Sequence, residues 1–290
     1  MAIFLGLLSS LSYGIFGIHF SNINMSPAGK TLIRNGLVAA VFFVFFCIFP
    51  QQLDVWFVVH TIGIGFLAFL SFWLFALSLG YERLDISKPV YFLQYSIIWM
   101  LGVMTESATV SYYITSLIIL SIPILQAVIL TTGSAKNSSA IPAFFTSLSG
   151  AIAGGIAIFW VISIVPVYGV IAPNLASTLG ASIWTGGFLL IKAWLGLDDT
   201  IVWREKLALV ASVDVFITLI ASILGGFFIT QSINFGLPGS MLALILSTSG
   251  FTGIYYGKLL DYGNTAIIHR MTYFASTITY LCIIGLMFFS

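Results

Sequence analysis

Charged residues are scarce in this sequence. Only 7% of its 290 residues are charged, whereas about a quarter are charged in ordinary soluble domains. Hydrophobic residues make up 60% of the chain, which is more than a soluble fold can bury. The formal net charge is +1, so nothing in the charge balance recruits nucleic acid or an acidic substrate. The composition excludes a soluble globular protein and predicts a chain that lies within a bilayer.

Cysteines and the familiar catalytic motifs are also lacking. The two cysteines, Cys47 and Cys282, each lie in an apolar run, so we expect neither a disulfide nor a metal site from them. The sequence has no His-Glu-x-x-His motif, no Gly-x-Gly-Asp aspartyl pair, no phosphate loop and no cluster of His and Cys. We therefore predict no enzyme, no cofactor and no metal.

Long apolar runs are what the sequence has in abundance. A helix needs roughly 20 apolar residues to cross a bilayer. The first run lacks the basic start and the cleavage site of a signal peptide, so we interpret it as the first span. The predicted fold is an all-α integral membrane protein with ten transmembrane helices. The predicted spans are residues 2–22, 31–49, 55–79, 87–104, 110–131, 141–165, 167–195, 207–233, 240–260 and 266–289.

The two halves of the chain, residues 1–133 and 134–290, resemble each other. Residues 75–84 match residues 228–237 at an offset of 153. The Ser10-x-x-x-Gly14 spacing of span one recurs as Gly150-x-x-x-Gly154 in span six. With five spans in each half, the second half enters the membrane in the opposite orientation, as in secondary transporters whose site lies near the midplane. The alternative is the general similarity of apolar sequences.

Two segments near the ninth span resemble a known family. Residues 246–250, Leu-Ser-Thr-Ser-Gly, and residues 257–264, Gly-Lys-Leu-Leu-Asp-Tyr-Gly-Asn, are similar to the end of the repeat in the drug/metabolite transporter superfamily, the EamA-like permeases. The five-plus-five arrangement is similar along essentially the whole chain. The resemblance implies transport of a small organic solute through a central cavity bounded by spans one, three, four, six, eight and nine.

The basic residues predict the orientation of the spans. All ten Lys and Arg residues lie in or beside the odd-numbered connections, whereas the even-numbered connections carry only Asp54 and Glu106. The positive-inside rule then predicts cytoplasmic odd connections and external termini, in a bacterial inner membrane. The family resemblance implies cytoplasmic termini instead. We follow the charge distribution.

Asp214 is the acidic residue that most needs an explanation. It lies about seven residues into predicted span eight, where an ionised carboxylate must be paired, hydrated or protonated. One hypothesis makes it the proton-coupling residue or a contact for a substrate ammonium group. The alternative is a structural ion pair with Arg34 or Arg270. His19, near the end of span one, is either a titrating group or a satisfied interfacial histidine.

Polar and aromatic residues within the spans supply the candidate binding site. Span eight carries Asp214, Thr218, Ser222 and Gly225 on one face, which we expect to point to other helices or to a wet cavity. Spans four and nine carry similar stripes at equivalent positions, and helix packing is the alternative for both. Aromatic rings could also form a wall of the cavity for an amphipathic solute. The predicted substrate-binding residues are Tyr13, Trp73, Tyr91, Gln94, Tyr95, Ser247, Thr248 and Tyr255.

The sequence therefore predicts a secondary active transporter of an amino acid, an amine or a related solute. Its predicted partners are that small molecule, the lipid bilayer and a coupling proton, but no nucleic acid. The runner-up is a membrane subunit or solute sensor that transports nothing. A channel is the third alternative, and the sequence offers no ring of like charges to support it.

Overall fold

The structure, a computed structural model, describes residues 1–23, 25–81, 87, 90–91, 93–105, 139–196, 212–247 and 249. Eight helices and no strand lie within these residues. The helices are α1 (Ala2–Asn22), α2 (Pro27–Ile48), α3 (Val55–Leu79), α4 (Leu93–Thr105), α5 (Ala140–Tyr168), α6 (Ile171–Trp194), α7 (Val213–Asn234) and α8 (Gly239–Ser247).

Six of these helices are long and apolar enough to cross a membrane, as judged by length and composition: α1, α2, α3, α5, α6 and α7. Large apolar side chains such as Phe43, Trp56 and Phe216 are exposed, whereas small polar ones such as Ser71 and Thr185 are buried. This inside-out distribution suits a protein surrounded by lipid. The all-α membrane fold predicted from composition is confirmed at this level. Predicted spans five and ten lie outside the described residues.

Capping residues, rather than apolarity alone, set the starts of α2, α3 and α7. The predicted bounds of α1 and α3 agree with the structure. Helix α2 begins four residues before the predicted 31, because Ser26 caps it by accepting a hydrogen bond from the Gly29 amide and Pro27 suits the first turn. Helix α7 begins at Val213 rather than 207, with Ser212 as the capping residue.

Side-chain contacts show which helix ends lie at each end of the bundle. His19 at the end of α1 contacts Asp214 at the start of α7. At the opposite end, Asp54 at the start of α3 accepts a hydrogen bond from Tyr168 at the end of α5. Gln51, in the connection from α2 to α3, accepts one from the amide of Ala172 at the start of α6. The bundle therefore has two distinct ends, which we call the His19 end and the Asp54 end.

The most extensive packing pairs helices from opposite halves of the chain. Helix α1 packs on α7, α3 packs on α5 and α6, α2 packs on α6, and α4 packs on α8 and α5. Glycine allows close approach between these helices: an added Cβ at Gly154 of α5 would lie 2.5 Å from Ser71 Oγ and 2.7 Å from Gln94 Oε1. An added Cβ at Gly150 would likewise lie 3.1 Å from the Ser71 carbonyl oxygen, so α5 packs closely on α3. A cavity lies between these helices.

Candidate functional site

An internal cavity lies where seven helical segments meet. Its free volume is about 100 Å³, which is room for several water molecules or a small solute. Its walls are mainly apolar, with a few polar groups that point inward, as is typical of small-molecule sites. The lining residues are Tyr13, Phe16, Gly17, Arg34, Val38, Phe42, Ala68, Ser71, Phe72, Phe75, Tyr91, Gln94, Tyr95, Gly154, Ala157, Ile158, Val161, Asn174, Ser177, Thr178, Ser222, Gly226 and Ile229.

Arg34 is the charged side chain among these lining residues. It is only 7% exposed and is the eighth residue of α2, roughly 10 Å along the helix axis from Pro27 at 1.5 Å per residue. Its Nε donates a hydrogen bond to Ser222 Oγ at 3.2 Å, and its Nη1 donates one to Asn35 Oδ1. An arginine inside a membrane costs about 3 kcal/mol on insertion scales, so this position requires compensation.

Aromatic rings provide part of that compensation. The guanidinium carbon of Arg34 lies 4.1 Å from the centre of the Phe72 ring and 5.6 Å from that of Phe16. A cation over a ring face is attracted by the negative electrostatic potential of that face. Across the described part of the chain, the one carboxylate in an ion pair is Asp214, and its partner is His19. No described carboxylate therefore neutralises Arg34.

Polar groups of α3 and the α4 region form a second part of the cavity wall. Tyr91 stacks on Phe75 with ring centres 4.0 Å apart, and its hydroxyl shares a 2.8 Å hydrogen bond with Ser71. Tyr95 accepts a hydrogen bond from Ser249 Oγ at 3.2 Å. Gln94, which lies between Tyr91 and Tyr95 in the sequence, is also buried. These groups can hold the polar part of a solute while the neighbouring rings cover its apolar part.

Asn174 and Thr178 of α6 bring polar groups from the Asp54 end of the bundle. Asn174 Nδ2 donates hydrogen bonds to the Val170 carbonyl at 2.9 Å and to Thr230 Oγ1 at 2.8 Å. Thr178 donates to the Asn174 carbonyl one turn earlier. The cavity therefore extends from Arg34, near the His19 end, toward residues near the Asp54 end.

The structure brings together four of the predicted binding residues and separates two others from them. Tyr13, Tyr91, Gln94 and Tyr95 all line the cavity. Trp73 instead packs between Phe69 and Phe188, outside the lining, and Ser247 bonds to the Leu244 carbonyl of its own helix. Thr248 and Tyr255 lie outside the described residues.

The polar face of α7 points into the protein, as predicted. Thr218 and Ser222 are buried, and an added Cβ at Gly225 would lie 2.9 Å from the Tyr13 ring. Asp214, however, is the second residue of its helix rather than the eighth. The span starts later than its apolarity indicated, so this carboxylate lies near the helix end, where the N-terminal dipole stabilises it.

Asp214 contacts His19 rather than Arg34. Its Oδ1 lies 2.6 Å from His19 Nδ1. The His19 side chain is 5% exposed, whereas that of Asp214 is 31% exposed. The predicted pairing with Arg34 is wrong, because Arg34 points to Ser222, two turns farther along α7. Arg270 lies outside the described residues. The pair joins the end of α1 to the start of α7 at the His19 end.

The Asp54 end carries a second linking carboxylate. Tyr168 donates its hydroxyl to Asp54 Oδ1 at 2.7 Å, and the amide of Phe57 donates to the same oxygen at 2.9 Å. The tyrosine hydrogen bond is the largest cause that lowers the pKa of Asp54 below its ordinary value of 3.8. This carboxylate therefore stays ionised and caps α3 while it links α3 to α5.

Sequence reasoning missed the residues that α2 and α6 contribute. From the sequence, Arg34 was a marker of orientation and one candidate ion-pair partner of Asp214, whereas Asn174 had no assigned role. A signal for Arg34 was present, because it is the fourth residue of the predicted span 31–49 and a cation within a span needs a partner or a function. Helices α2 and α6 are therefore added to the predicted boundary of the cavity. The described part of span nine, α8, contributes no lining residue.

No family model and no curated protein matches this chain. A chain of known crystal structure is similar to it, with a TM-score of 0.65 and 14% sequence identity over 98% of this chain and 94% of that chain. At this identity the likeness shows a common fold along nearly the whole length. In the described residues, no group of three His, Cys, Asp or Glu side chains could hold a metal ion.

Proposed function

We propose that this protein is a secondary active transporter that moves a small organic solute by alternating access. The observation that carries the proposal is the cavity, which lies between helices of both halves and combines apolar walls with inward polar groups. In transporters built from two repeats, the substrate site lies in the corresponding place. Tyr13, Tyr91, Gln94 and Tyr95 are the proposed solute contacts, and Arg34, Asn174 and Ser222 join them.

The helix pairings support two inverted five-helix repeats. If α1 corresponds to α5, α2 to α6, α3 to α7 and α4 to α8, exchanging the halves turns each major pairing into another one that is present. The α1–α7 pair becomes α5–α3, α4–α5 becomes α8–α1, and α3–α6 becomes α7–α2, whereas α2–α6 and α4–α8 map onto themselves. Ten spans, divided as residues 1–133 and 134–290, are part of the proposal.

A residue correspondence supports the same repeat. The offset of 140 residues that relates Gly14 to Gly154 also relates Arg34 to Asn174. Both of the latter line the cavity. We propose membership of the drug/metabolite transporter superfamily, as an EamA-like permease, on this arrangement together with the resemblance around residues 246–264.

The proposed cycle opens the two ends of the bundle in turn. Each end carries side-chain links between the halves: His19 with Asp214 at one end, and Tyr168 with Asp54 at the other. Rocking of the halves would break one link while the other holds. Asp214 is the proposed proton-coupling residue, because its contact with a histidine provides two groups that can exchange a proton. The membrane is proposed to be the bacterial inner membrane, with external termini.

Solute counterflow in proteoliposomes tests the proposal. Vesicles loaded with one unlabelled solute from a metabolite panel should accumulate the same labelled solute from outside. Gln94→Ala, inside the cavity, should reduce the exchange at least tenfold. Gln231→Ala is the matched control, because Gln231 lies on α7 outside the cavity lining. Absence of exchange across amino acids, organic acids, amines and nucleosides would contradict transport and favour a subunit or sensor.

A further inference from the structure

The cavity carries a fixed positive charge. Arg34 is charged, and the other lining residues include no Asp, Glu, Lys or His. Its guanidinium is buried, and the described part of the chain places no carboxylate against it. A buried cation without a counter-charge is unfavourable, and an anion entering the cavity would relieve this. The charge therefore selects among the solutes that the cavity could take.

The guanidinium keeps donors available for such an anion. Arginine has five N–H donors. The hydrogen bonds to Ser222 and Asn35 use two of them, through Nε and Nη1, so three have no hydrogen-bond partner among the described residues. Guanidinium donors match the two oxygens of a carboxylate better than an ammonium group would. The Phe72 ring holds the guanidinium plane from one side, which limits the directions from which an anion can approach.

The other lining residues suit a solute whose remaining part is small and apolar. Phe16, Phe72, Phe75 and Tyr91 present aromatic rings to the cavity, while Gln94 and Tyr95 present uncharged polar groups. A single cation balances one negative charge, so a monoanion suits the site better than a doubly charged phosphate. A cationic amine would be repelled by Arg34 and would find no carboxylate in the lining.

We infer that the solute is a small organic carboxylate whose charged group binds Arg34 and whose apolar part lies among the aromatic rings. The inference rests on the cavity of the proposed function and names its substrate class. It also narrows the expected classes, because simple amines are excluded.

Calorimetric binding to the purified full-length protein in lipid nanodiscs tests this inference. The probes are benzoate, phenylacetate and hexanoate, each compared with its amide and with the corresponding amine. We expect at least one carboxylate to bind, its amide to bind at least tenfold more weakly and its amine to show no binding. Arg34→Gln should remove the preference for the carboxylate over the amide.

Two further variants distinguish an effect of the Arg34 charge on binding from an effect of the substitution on folding. Arg34→Lys keeps a cation in place and should retain the preference at reduced affinity. Lys30→Gln is the matched control, since Lys30 is a buried cation one turn away on α2 that bonds the Ser21 carbonyl and does not line the cavity. It should bind the carboxylate as the wild type does, and thermal unfolding checks that each variant is folded.

Several results would overturn the inference. They are tighter binding of an amide or amine, no binding by any carboxylate, an unchanged preference in a folded Arg34→Gln protein, or competition by chloride at equal affinity. Binding of a carboxylate without exchange in proteoliposomes would contradict transport and leave the inference standing. Exchange of amines or neutral solutes alone would contradict the inference and leave transport standing.

Discussion

At the scale of single residues, each end of the bundle depends on one carboxylate. Asp54 and Asp214 both lie at the start of a helix, and each contacts a side chain from the other half of the chain. The two differ in what they contact. Asp54 accepts a hydrogen bond from the phenol of Tyr168, whereas Asp214 contacts the imidazole of His19. The first contact links two helices, and the second is the one on which the proposed proton coupling depends.

The Asp54 link should make stability depend on acid pH. The hydrogen bonds from Tyr168 and from the Phe57 amide lower the pKa of Asp54 in the folded protein. The stabilisation is therefore present above the unfolded pKa, near 3.8, and is lost as pH falls through the folded pKa. The melting temperature of wild type should drop over that range, whereas Asp54→Asn should show a smaller drop. Tyr168→Phe should resemble Asp54→Asn, and an unchanged acid profile in both variants would contradict the link.

Asp214→Asn should abolish the response of transport to a pH gradient. The substitution keeps the side-chain shape and removes the group that we propose to carry the proton. Counterflow without a gradient should continue, because solute binding occurs at the cavity. Uptake driven by an imposed pH gradient is the measurement, and Asp54→Asn at the opposite end is the control. A variant that still responds to the gradient would leave Asp214 with only a structural role.

Arg34 lies farther from the start of its helix than Asp214 does, so it is the charge that lies deeper in the bundle. Both residues were visible in the sequence as charges near apolar runs, but their depth depends on where the helices begin. Ser212 starts α7 only two residues before Asp214, whereas Ser26 starts α2 eight residues before Arg34. The capping residues therefore determine which of the two side chains reaches the cavity. The apolarity of the sequence alone does not predict this.

At the scale of helices, glycine sets how closely α5 approaches α3 and α4. Gly154→Ala would place a methyl group against Ser71 and Gln94, both at the cavity. We expect a loss of about 1–3 kcal/mol in the free energy of unfolding, as for other overpacked cores, together with weaker solute binding. Thermal or denaturant unfolding in detergent measures the first effect, and calorimetry measures the second.

Gly36→Ala is the matched control for that prediction. Gly36 also lies inside a helix, and a Cβ added there meets no atom within 4 Å. Replacing it should leave stability unchanged or raise it by about 0.5–1 kcal/mol, because alanine favours helix more than glycine does. Equal effects of the two substitutions would show that close packing at Gly154 is not what matters.

The rotation of each helix was the hardest property to predict. Tyr91, Gln94 and Tyr95 were found because span four has an obvious polar stripe. Trp73 was expected at the cavity, but α3 is apolar around most of its circumference, and its few small polar residues are a weak guide to the face that points inward. The face at the cavity carries Ser71 and Phe72 instead. A largely apolar helix predicts a span but not its orientation about its own axis.

At the scale of the whole molecule, charge is distributed between the two ends. The described cations, Lys30, Arg34 and Lys192, lie on the half of each helix nearer the His19 end, whereas Asp54 lies at the other. This agrees with the asymmetry expected from the positive-inside rule. It supports the proposal that the His19 end is cytoplasmic.

Cysteine labelling in intact cells should reveal that orientation. In a background with Cys47 and Cys282 replaced by alanine, Gln52→Cys and Ser290→Cys should react with an impermeant maleimide from outside. Met25→Cys, in the connection between α1 and α2, should react only after permeabilisation. The reverse pattern would place the termini in the cytoplasm, as the family resemblance implies.

The pairing of helices across the two halves has a consequence for biosynthesis. Helix α1 packs mainly on α7, which begins about 190 residues later in the chain. At about 5–20 residues per second, a ribosome needs roughly ten to forty seconds to make that intervening stretch. During this interval Ser9 of α1 lacks its acceptor, the Gly225 carbonyl, and the guanidinium of Arg34 lacks the Ser222 hydroxyl. The first four helices must therefore wait in the membrane, held by lipid or by the insertion machinery, until the second half arrives.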